Sequence, residues 1–97
     1  MVVITFAKLR RYSLENVGAK VALFHWHDIV SRADWSNVAD VKKEFPTADY
    51  LRDNRFVFNI MGNKYRLIAM IYFDIRTVYI RFIGTHSEYD KIIARSA

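Results

Sequence analysis

A short polar segment near the end of the chain, GTHSEYD, contains side chains that can transfer protons. His86 can accept or release a proton near neutral pH, because the reference pKa of histidine is ~6.5. Tyr89 can donate a proton, and Asp90 can orient the imidazole or simply favour the start of a helix. Since acid–base catalysis needs such groups side by side, the segment is our first candidate for a site of chemistry.

The same segment carries the signature of a helix N-terminus. Thr85 followed by Glu88 matches the T-x-x-E capping box, which places His86 in the first turn of the last helix. Helix N-termini present free N–H groups and a partial positive charge, so they bind anions such as phosphate. The segment is therefore either an anion-binding chemical site or a capping motif with no further role.

Three strands are predicted before this segment. After Asp53 the hydrophobic period changes from that of a helix to that of a strand, in the stretches RFVFNI, KYRLIAMIYF and VYIRFIG. Gly62-Asn63 separates the first two stretches and predicts a tight hairpin. The tetrapeptide DIRT separates the second and third. We expect an antiparallel meander.

The turns predict which side chains lie next to one another. A two-residue turn at Gly62-Asn63 places Asn59 opposite Arg66, and a DIRT loop places Arg66 opposite Thr85. Lys64 then lies on the same face as Arg66, beside the start of the last helix. Arg81 falls four residues away along the strands, opposite Met70, or roughly 13 Å from that row. We therefore expect Arg81 to be a poorer candidate for direct contact at this end.

The predicted sheet has one apolar face and one mixed face, because side chains alternate along a strand. We expect the apolar face to pack against helices, and it comprises Phe56, Phe58, Ile60, Leu67, Ala69, Ile71, Phe73, Val78, Ile80 and Phe82. The mixed face comprises Arg55, Val57, Asn59, Arg66, Ile68, Met70, Tyr79, Arg81 and Ile83.

The first half of the chain is predicted to be helical. Residues 6–16 form a short helical pattern, and residues 18–35 have the clearest helical period. Ser36 is a suitable N-cap for a third helix, which Pro46 ends. VVIT at the start is either a short strand or an apolar lead into the first helix. The predicted fold class is α+β.

Length, charge and cysteine content limit the number of domains, the cellular compartment and the kind of partner that we expect. The 97 residues, 53% of them hydrophobic, make one domain over residues 1–97. Absence of cysteine excludes disulfides and thiol nucleophiles and fits a reducing compartment such as the cytoplasm, and no apolar run approaches the ~20 residues of a membrane span. The net charge is +5: residues 1–54 hold eight Lys and Arg against seven acids, and residues 55–97 hold seven against three. This surplus suggests nucleic acid or an acidic protein as partner.

Other candidate groups are weaker. His25 and Asp28 share one side of a predicted helix, but two ligands do not make a metal site. Trp26 and Trp35 are better explained as core residues than as a base-stacking platform. The chain lacks a Walker-type glycine loop, a G-x-S-x-G motif and the paired acids of a metal-dependent nuclease. We expect neither a metal ion nor a cofactor.

Several stretches resemble one protein family. NKYRL at residues 63–67 and GTHSEYD at residues 84–90 are together similar to the HigB-type toxins of bacterial toxin–antitoxin pairs, which belong to the RelE superfamily of small ribonucleases. ADW at residues 33–35 and KKEFPTAD at residues 42–49 are similar as well. The resemblance covers residues 33–92, and the first thirty residues match loosely. Met61 stands where the family pattern has a second glycine, which is expected to affect the turn and not the chemistry.

The resemblance implies a RelE-like fold, with N-terminal helices on one face of a twisted antiparallel sheet, RNA against the other face, and a short C-terminal helix. It also implies metal-free cleavage of messenger RNA, often on the ribosome, and neutralisation by a helix-turn-helix antitoxin. RNA supplies its own nucleophile, the 2′-OH. The protein must then supply a base, an acid and cations that hold the phosphate.

Four residues are the candidates for that chemistry. His86 is the best proton carrier, and Arg66 would hold the phosphate with its bidentate fork. Lys64 would add charge or act as the second proton carrier, and Tyr89 would donate a proton or stack on a base. The residues expected to contact RNA around them are Asn59, Arg81, Asp90 and Lys91.

Two alternatives use the same basic face without catalysis. One is an RNA- or protein-binding module that tolerates replacement of His86, and the other is an interaction protein that docks an acidic partner. Loss of RNA affinity at high salt would separate nucleic-acid binding from the second alternative.

Overall fold

The computed structural model describes residues 1–96 of the chain. A single 3₁₀ turn, Val17–Ala19, leads into the second helix. Within residues 1–96 no helix is both long and apolar enough to cross a membrane. The α+β class is confirmed, with elements in the order β1 (Val2–Ile4), α1 (Phe6–Glu15), α2 (Lys20–Arg32), α3 (Val38–Glu44), β2 (Asp49–Tyr50), β3 (Arg55–Ile60), β4 (Tyr65–Tyr72), β5 (Thr77–Thr85) and α4 (His86–Ser96).

The five strands form one sheet in the order β1-β5-β4-β3-β2. Strands β3, β4 and β5 are antiparallel neighbours, as predicted, and β2 adds a further antiparallel pairing to β3. β1 is indeed a strand, but it pairs in parallel with β5, so the sheet is mixed and not wholly antiparallel. The two-residue strand β2 was not predicted, since two polar-flanked residues carry no strand pattern.

The N-terminal helices cover one face of the sheet. α2 buries Leu23, Trp26 and Val30, whose spacings of three and four residues place them on one side of the helix. The Trp26 ring meets the Phe58 ring of β3 at a centroid distance of 5.4 Å, close to edge-on. Trp26 and Trp35 are both almost fully buried, so both are core residues, as predicted.

α3 begins at a different cap from the one predicted. Its N-cap is Asn37, whose side chain accepts a hydrogen bond from the backbone N–H of Asp40 at 3.0 Å. Ser36, the predicted cap, donates its backbone N–H to the Asp40 carboxylate at 2.8 Å. Serine and asparagine are about equally good caps, so their types alone do not distinguish two adjacent positions.

A β-bulge at Arg81 interrupts the pairing of β5 with β4. Ala69 pairs with Ile80 and Ile68 pairs with Phe82, which leaves Arg81 without a partner. One extra residue moves every later side chain of the strand to the opposite face.

Two face assignments on β5 are therefore wrong. Phe82 was predicted on the apolar face, in the core. Its partner Ile68 lies on the mixed face, which we call the outer face because the N-terminal helices cover the other one, and Phe82 lies on this outer face as well. Ile83 was predicted on the outer face but belongs to the core cluster.

The predicted register of β4 against β5 is also wrong. Arg66 pairs with Gly84, one residue before the predicted partner, and Met70 pairs with Tyr79 and not with Arg81. The loop starts and ends one residue early, which shifts the pairing by two residues, as at Met70. The bulge then adds one residue to β5 and leaves a net shift of one residue at Arg66. Arg66 and Met70, with their partners on β5, still lie at the two predicted ends of the sheet.

The β3–β4 hairpin has the predicted register, with Asn59 opposite Arg66. Met61 and Gly62 in the turn both have a positive φ, of 53° and 66°. Glycine adopts this left-handed conformation without strain, whereas methionine does not. Met61 therefore occupies a position whose backbone favours glycine, which accounts for the glycine that the family pattern has there.

One end of the outer face is covered and the other is open. Val57 and Ile68 alternate onto the outer face, yet they are only 2% and 8% exposed, and α4 packs against β4 and β5 at this end. Met70 and Tyr79 at the other end remain partly exposed. α4 therefore covers part of the face that the resemblance predicted to lie against RNA.

Candidate active site

The start of α4 is tied to both β5 and the hairpin. The Thr85 backbone N–H donates to the Glu88 carboxylate at 2.8 Å, and the Glu88 N–H donates to the Thr85 hydroxyl at 3.2 Å, so the predicted capping box is confirmed. The backbone N–H of His86 donates to the carbonyl of Lys64 at 3.1 Å. This bond joins the first helical residue to the hairpin loop, so Lys64 and His86 lie side by side.

His86 is held by a carboxylate on its own helix. Its Nδ1 lies 3.0 Å from Oδ2 of Asp90, one helical turn further on. The two side chains are 42% and 60% exposed, so both are accessible from solvent. When Nδ1–H donates to Asp90, Nε2 carries the lone pair and is the nitrogen that can accept a proton from a bound molecule.

Arg66 is held between the sheet and α4. Its Nη1 donates to the Asn59 side-chain oxygen on the neighbouring strand, and its guanidinium lies 5.5 Å from the centre of the Tyr89 ring. A cation over an aromatic ring is attracted by the negative ring face. The Nε–H of Arg66 is buried and has no hydrogen-bond partner among residues 1–96. The guanidinium is therefore fixed in place by Asn59 and the Tyr89 ring.

Tyr89 stays protonated at neutral pH. Burial raises the pKa of its phenol above the ordinary value, the carboxylates of Asp49 and Asp90 raise it further, and Arg66 acts in the opposite direction. A phenol with a raised pKa is a hydrogen-bond donor and a proton source, and it is not a base near neutrality.

The predicted residues fall into one cluster and two outliers. Arg66, Tyr89 and Asn59 form one contact chain, and His86 lies three residues before Tyr89 on α4, so their Cβ atoms are about 5–6 Å apart. Lys64 joins them through its backbone bond to His86. We call His86, Asp90, Tyr89, Arg66, Asn59 and Lys64 the α4 entrance site. Arg81 lies at the bulge outside this site, and Lys91 is exposed on α4 and forms no hydrogen bond or ion pair with the site in the described part of the chain.

Sequence reasoning missed two residues beside the site. Asp49 comes from the unpredicted strand β2, and no periodicity could have placed its carboxylate near Tyr89. Gly84 lies opposite Arg66, and a Cβ there would come within 2.5 Å of the Phe82 ring and 3.2 Å of the Glu88 carboxylate. A glycine between two strand residues was the available signal, since it often marks a close approach.

The sequence matches one class of known proteins. Residues 19–92 match the profile of the HigB_toxin family, described as the RelE-like toxic component of a toxin–antitoxin system. The mRNA interferase toxin HigB of Escherichia coli strain K12 is 33% identical over 77 residues, covering 77% of this chain and 74% of that protein. The mRNA interferase HigB of Shigella flexneri gives the same values, and that of Escherichia coli O6:H1 is 30% identical over 74 residues, with 74% and 72% covered.

The chain therefore belongs to the HigB family of RelE-like toxins, as its resemblance predicted. Membership of a toxin–antitoxin family implies an antitoxin protein as partner. The matched residues include β2 to β5 and the first turns of α4, and thus every residue of the α4 entrance site.

Proposed function

We propose that this chain is an mRNA interferase, an endoribonuclease that cleaves messenger RNA and uses no metal ion or cofactor. The names of its relatives support the substrate and the reaction. The single observation that carries the chemistry is the pairing of His86 with Asp90 on the same helix end where Tyr89 contacts Arg66. This places a proton acceptor, a proton donor and a fixed cation together.

The reaction begins with attack of the RNA 2′-hydroxyl on the adjacent phosphorus. Nε2 of His86 accepts the 2′-OH proton, while Asp90 holds Nδ1–H and stabilises the imidazolium that forms. The O2′–P bond forms and the P–O5′ bond breaks. Tyr89 supplies the proton that the departing O5′ needs, because its phenol is protonated at neutral pH. The products are a 2′,3′-cyclic phosphate and a 5′-hydroxyl end.

Negative charge that accumulates on the phosphate is stabilised by Arg66 and Lys64. Arg66 is held by Asn59 and Tyr89, so it need not reorganise during the reaction. Lys64 is exposed on the hairpin loop beside the first turn of α4. The partial positive charge at the start of α4 adds to both.

The biological setting belongs to the same proposal. The substrate is mRNA engaged on the ribosome in the cytoplasm, and the inhibitor is a helix-turn-helix antitoxin. The basic surplus of residues 55–97 supports a polyanionic substrate. Arg81 and Lys91, which lie outside the α4 entrance site, are assigned to backbone contacts with RNA.

The experiment is cleavage of a defined mRNA by the purified protein, alone and during translation, with the new ends mapped by primer extension. The mapped message is then remade with a single 2′-deoxynucleotide at the scissile position. We expect loss of cleavage at that position only, and a cyclic phosphate on the product of the unmodified message. Cleavage of the deoxy message would refute the proposed nucleophile.

The same experiment separates the non-catalytic alternative. A protein that binds mRNA but leaves it intact, both alone and during translation, would be an RNA-binding module on the same basic face. RNA binding without cleavage would therefore contradict the proposed enzyme activity but support the proposed RNA-binding face.

A further inference from the structure

The open end of the outer face contains a groove that the proposed chemistry does not use. It has a volume of about 400 Å³ and is lined by Met70, Tyr72, Ile75, Tyr79 and Arg81. The Tyr72 and Tyr79 rings lie 5.6 Å apart at an angle of 85°. The groove thus combines flat aromatic surfaces and apolar walls with one cation, and we call it the Tyr79 groove.

The bulge places Arg81 where several grooves meet. A second groove of about 380 Å³ is lined by Tyr79 and Arg81 together with Lys8, and a third of about 220 Å³ by Lys8, Arg11 and Arg81. Lys8 donates to the carbonyl of Arg81 at 3.2 Å, so α1 is fastened to the bulge. Glu15 is the one acid among the residues that line these three grooves. The region is therefore aromatic at its centre and cationic along its border.

We propose that the Tyr79 groove binds a nucleobase of the substrate RNA strand, with Arg81 and Lys8 on the adjoining phosphates. The inference rests on the proposed function, because it assigns a second contact to the same substrate. Single-stranded nucleic acid is held by aromatic side chains on which bases stack and by cations that follow the backbone. The groove and its border supply both groups. An acidic peptide would use the cations but would leave the aromatic surfaces and Met70 unmatched.

The spacing between the two sites matches a short strand of RNA. Arg66 and Met70 are four residues apart on β4, or about 13 Å. A stacked strand rises about 3.4 Å per nucleotide, so the bound base lies about four nucleotides from the scissile phosphate, or fewer if the strand is extended. Oligonucleotides shorter than this distance should reach only one of the two sites. They should bind at the α4 entrance site, where Arg66, Lys64 and the positive start of α4 attract phosphate more strongly than the single cation of the Tyr79 groove.

The test measures binding of single-stranded 2′-O-methyl oligonucleotides, which lack the nucleophilic hydroxyl, by fluorescence anisotropy. Lengths run from two to ten nucleotides in mixed sequence. For wild-type protein we expect affinity to rise with length up to about six nucleotides. Tyr79→Ala should weaken binding of the long oligonucleotides about 5- to 150-fold and leave the two- and three-nucleotide ones unchanged. Tyr79→Phe should retain wild-type affinity.

Two further variants keep the test decisive. Tyr50→Ala is the control, because it removes an exposed tyrosine from β2, the edge strand beside β3 and away from the groove. This variant should bind every length as wild type does. Arg81→Ala, an exposed position, should lower the slope of log affinity against log salt by about one without changing the base dependence. A circular dichroism spectrum verifies that each variant is folded.

Results that overturn this inference differ from those that overturn the proposed function. If Tyr79→Ala binds ten-nucleotide RNA as tightly as wild type, the Tyr79 groove does not hold a base, even if mRNA is cleaved. If Tyr79→Ala shows the expected length-dependent loss while wild-type protein leaves mRNA intact, the groove stands and the nuclease does not. Equal weakening at all lengths would place Tyr79 in a general structural role and also contradict the inference.

Discussion

Gly84 is the position where one added methyl group should disturb the candidate site most. It pairs with Arg66, and a Cβ there would lie 2.5 Å and 3.1 Å from two Phe82 ring carbons and 3.2 Å from the Glu88 carboxylate. A Gly84→Ala chain must therefore move the Phe82 ring and press on the residue that caps α4. The backbone of Gly84 does not have a positive φ, so the cost comes from the contact alone.

The magnitude follows from overpacking. Forcing a methyl group into occupied space costs typically 1–3 kcal/mol, and we expect about 2 kcal/mol for Gly84→Ala. For a domain of this size that lowers Tm by about 8–16 °C. Gly18→Ala is the matched control, because its Cβ would meet only the Tyr65 hydroxyl, at 4.0 Å. That change should be neutral or stabilising by up to about 1 kcal/mol.

Urea denaturation of the two variants measures the difference directly. In a Phe82→Leu background, which lacks the outer ring carbons, the cost of Gly84→Ala should fall by at least half, since the two changes are coupled through one contact. A Gly84→Ala protein as stable as Gly18→Ala would refute the close packing of Phe82 on this glycine. An unchanged cost in the Phe82→Leu background would refute the coupling.

Three further predictions concern the site and the hairpin. Arg66→Ala should lose at least about 100-fold in mRNA cleavage and more than Arg81→Ala, because Arg66 is fixed beside Tyr89, and equal losses would contradict the assignment. Met61→Gly should raise the free energy of unfolding by about 1 kcal/mol in urea titrations by relieving a left-handed methionine, whereas Asn63→Gly should not. Burial raises the pKa of Tyr89, so the unfolded chain releases this proton first as pH rises through ~10 and stability falls there. Tyr89→Phe should therefore lose less stability than wild type between about pH 9 and pH 11, and parallel curves would contradict the shift.

The parts of the fold that depend on local pattern were predictable. The β3–β4 hairpin has its predicted register, with Asn59 opposite Arg66, because a glycine-containing turn and a two-residue period both define it. The capping box between Thr85 and Glu88 is also confirmed. It too was predictable from local sequence, because both partners lie within one helical turn.

Features that depend on distant contacts were not predictable. The stretch VYIRFIG has apolar residues at both odd and even positions, and the bulge at Arg81 changes which of them face the core. No periodicity therefore reveals which of Phe82 and Ile83 is buried. The parallel pairing of β1 with β5 joins residues that are 75 positions apart in the sequence. The three apolar residues of β1 do not indicate with which strand they pair. Such pairings are selected by the packing of the whole domain.

The candidate site follows the same division. Arg66 was expected near His86 from a register that was one residue wrong, and the error was small enough to leave both at the same end of the sheet. The ring contact of Arg66 with Tyr89 could not be read from the chain, since it depends on how α4 lies across the outer face. Asp49 was missed because the strand that carries it is too short to show a pattern.

The most direct test compares the single-turnover rate of mRNA cleavage by His86→Ala with that of His25→Ala, which removes an exposed histidine from α2. If His86 carries the proton of the 2′-hydroxyl, His86→Ala should fold normally and cleave about 10²- to 10⁴-fold more slowly. His25→Ala should cleave within about twofold of wild type, a change of less than about 0.5 kcal/mol in the barrier. A His86→Ala protein that cleaves mRNA at the wild-type rate would contradict the assignment of catalysis to the start of α4.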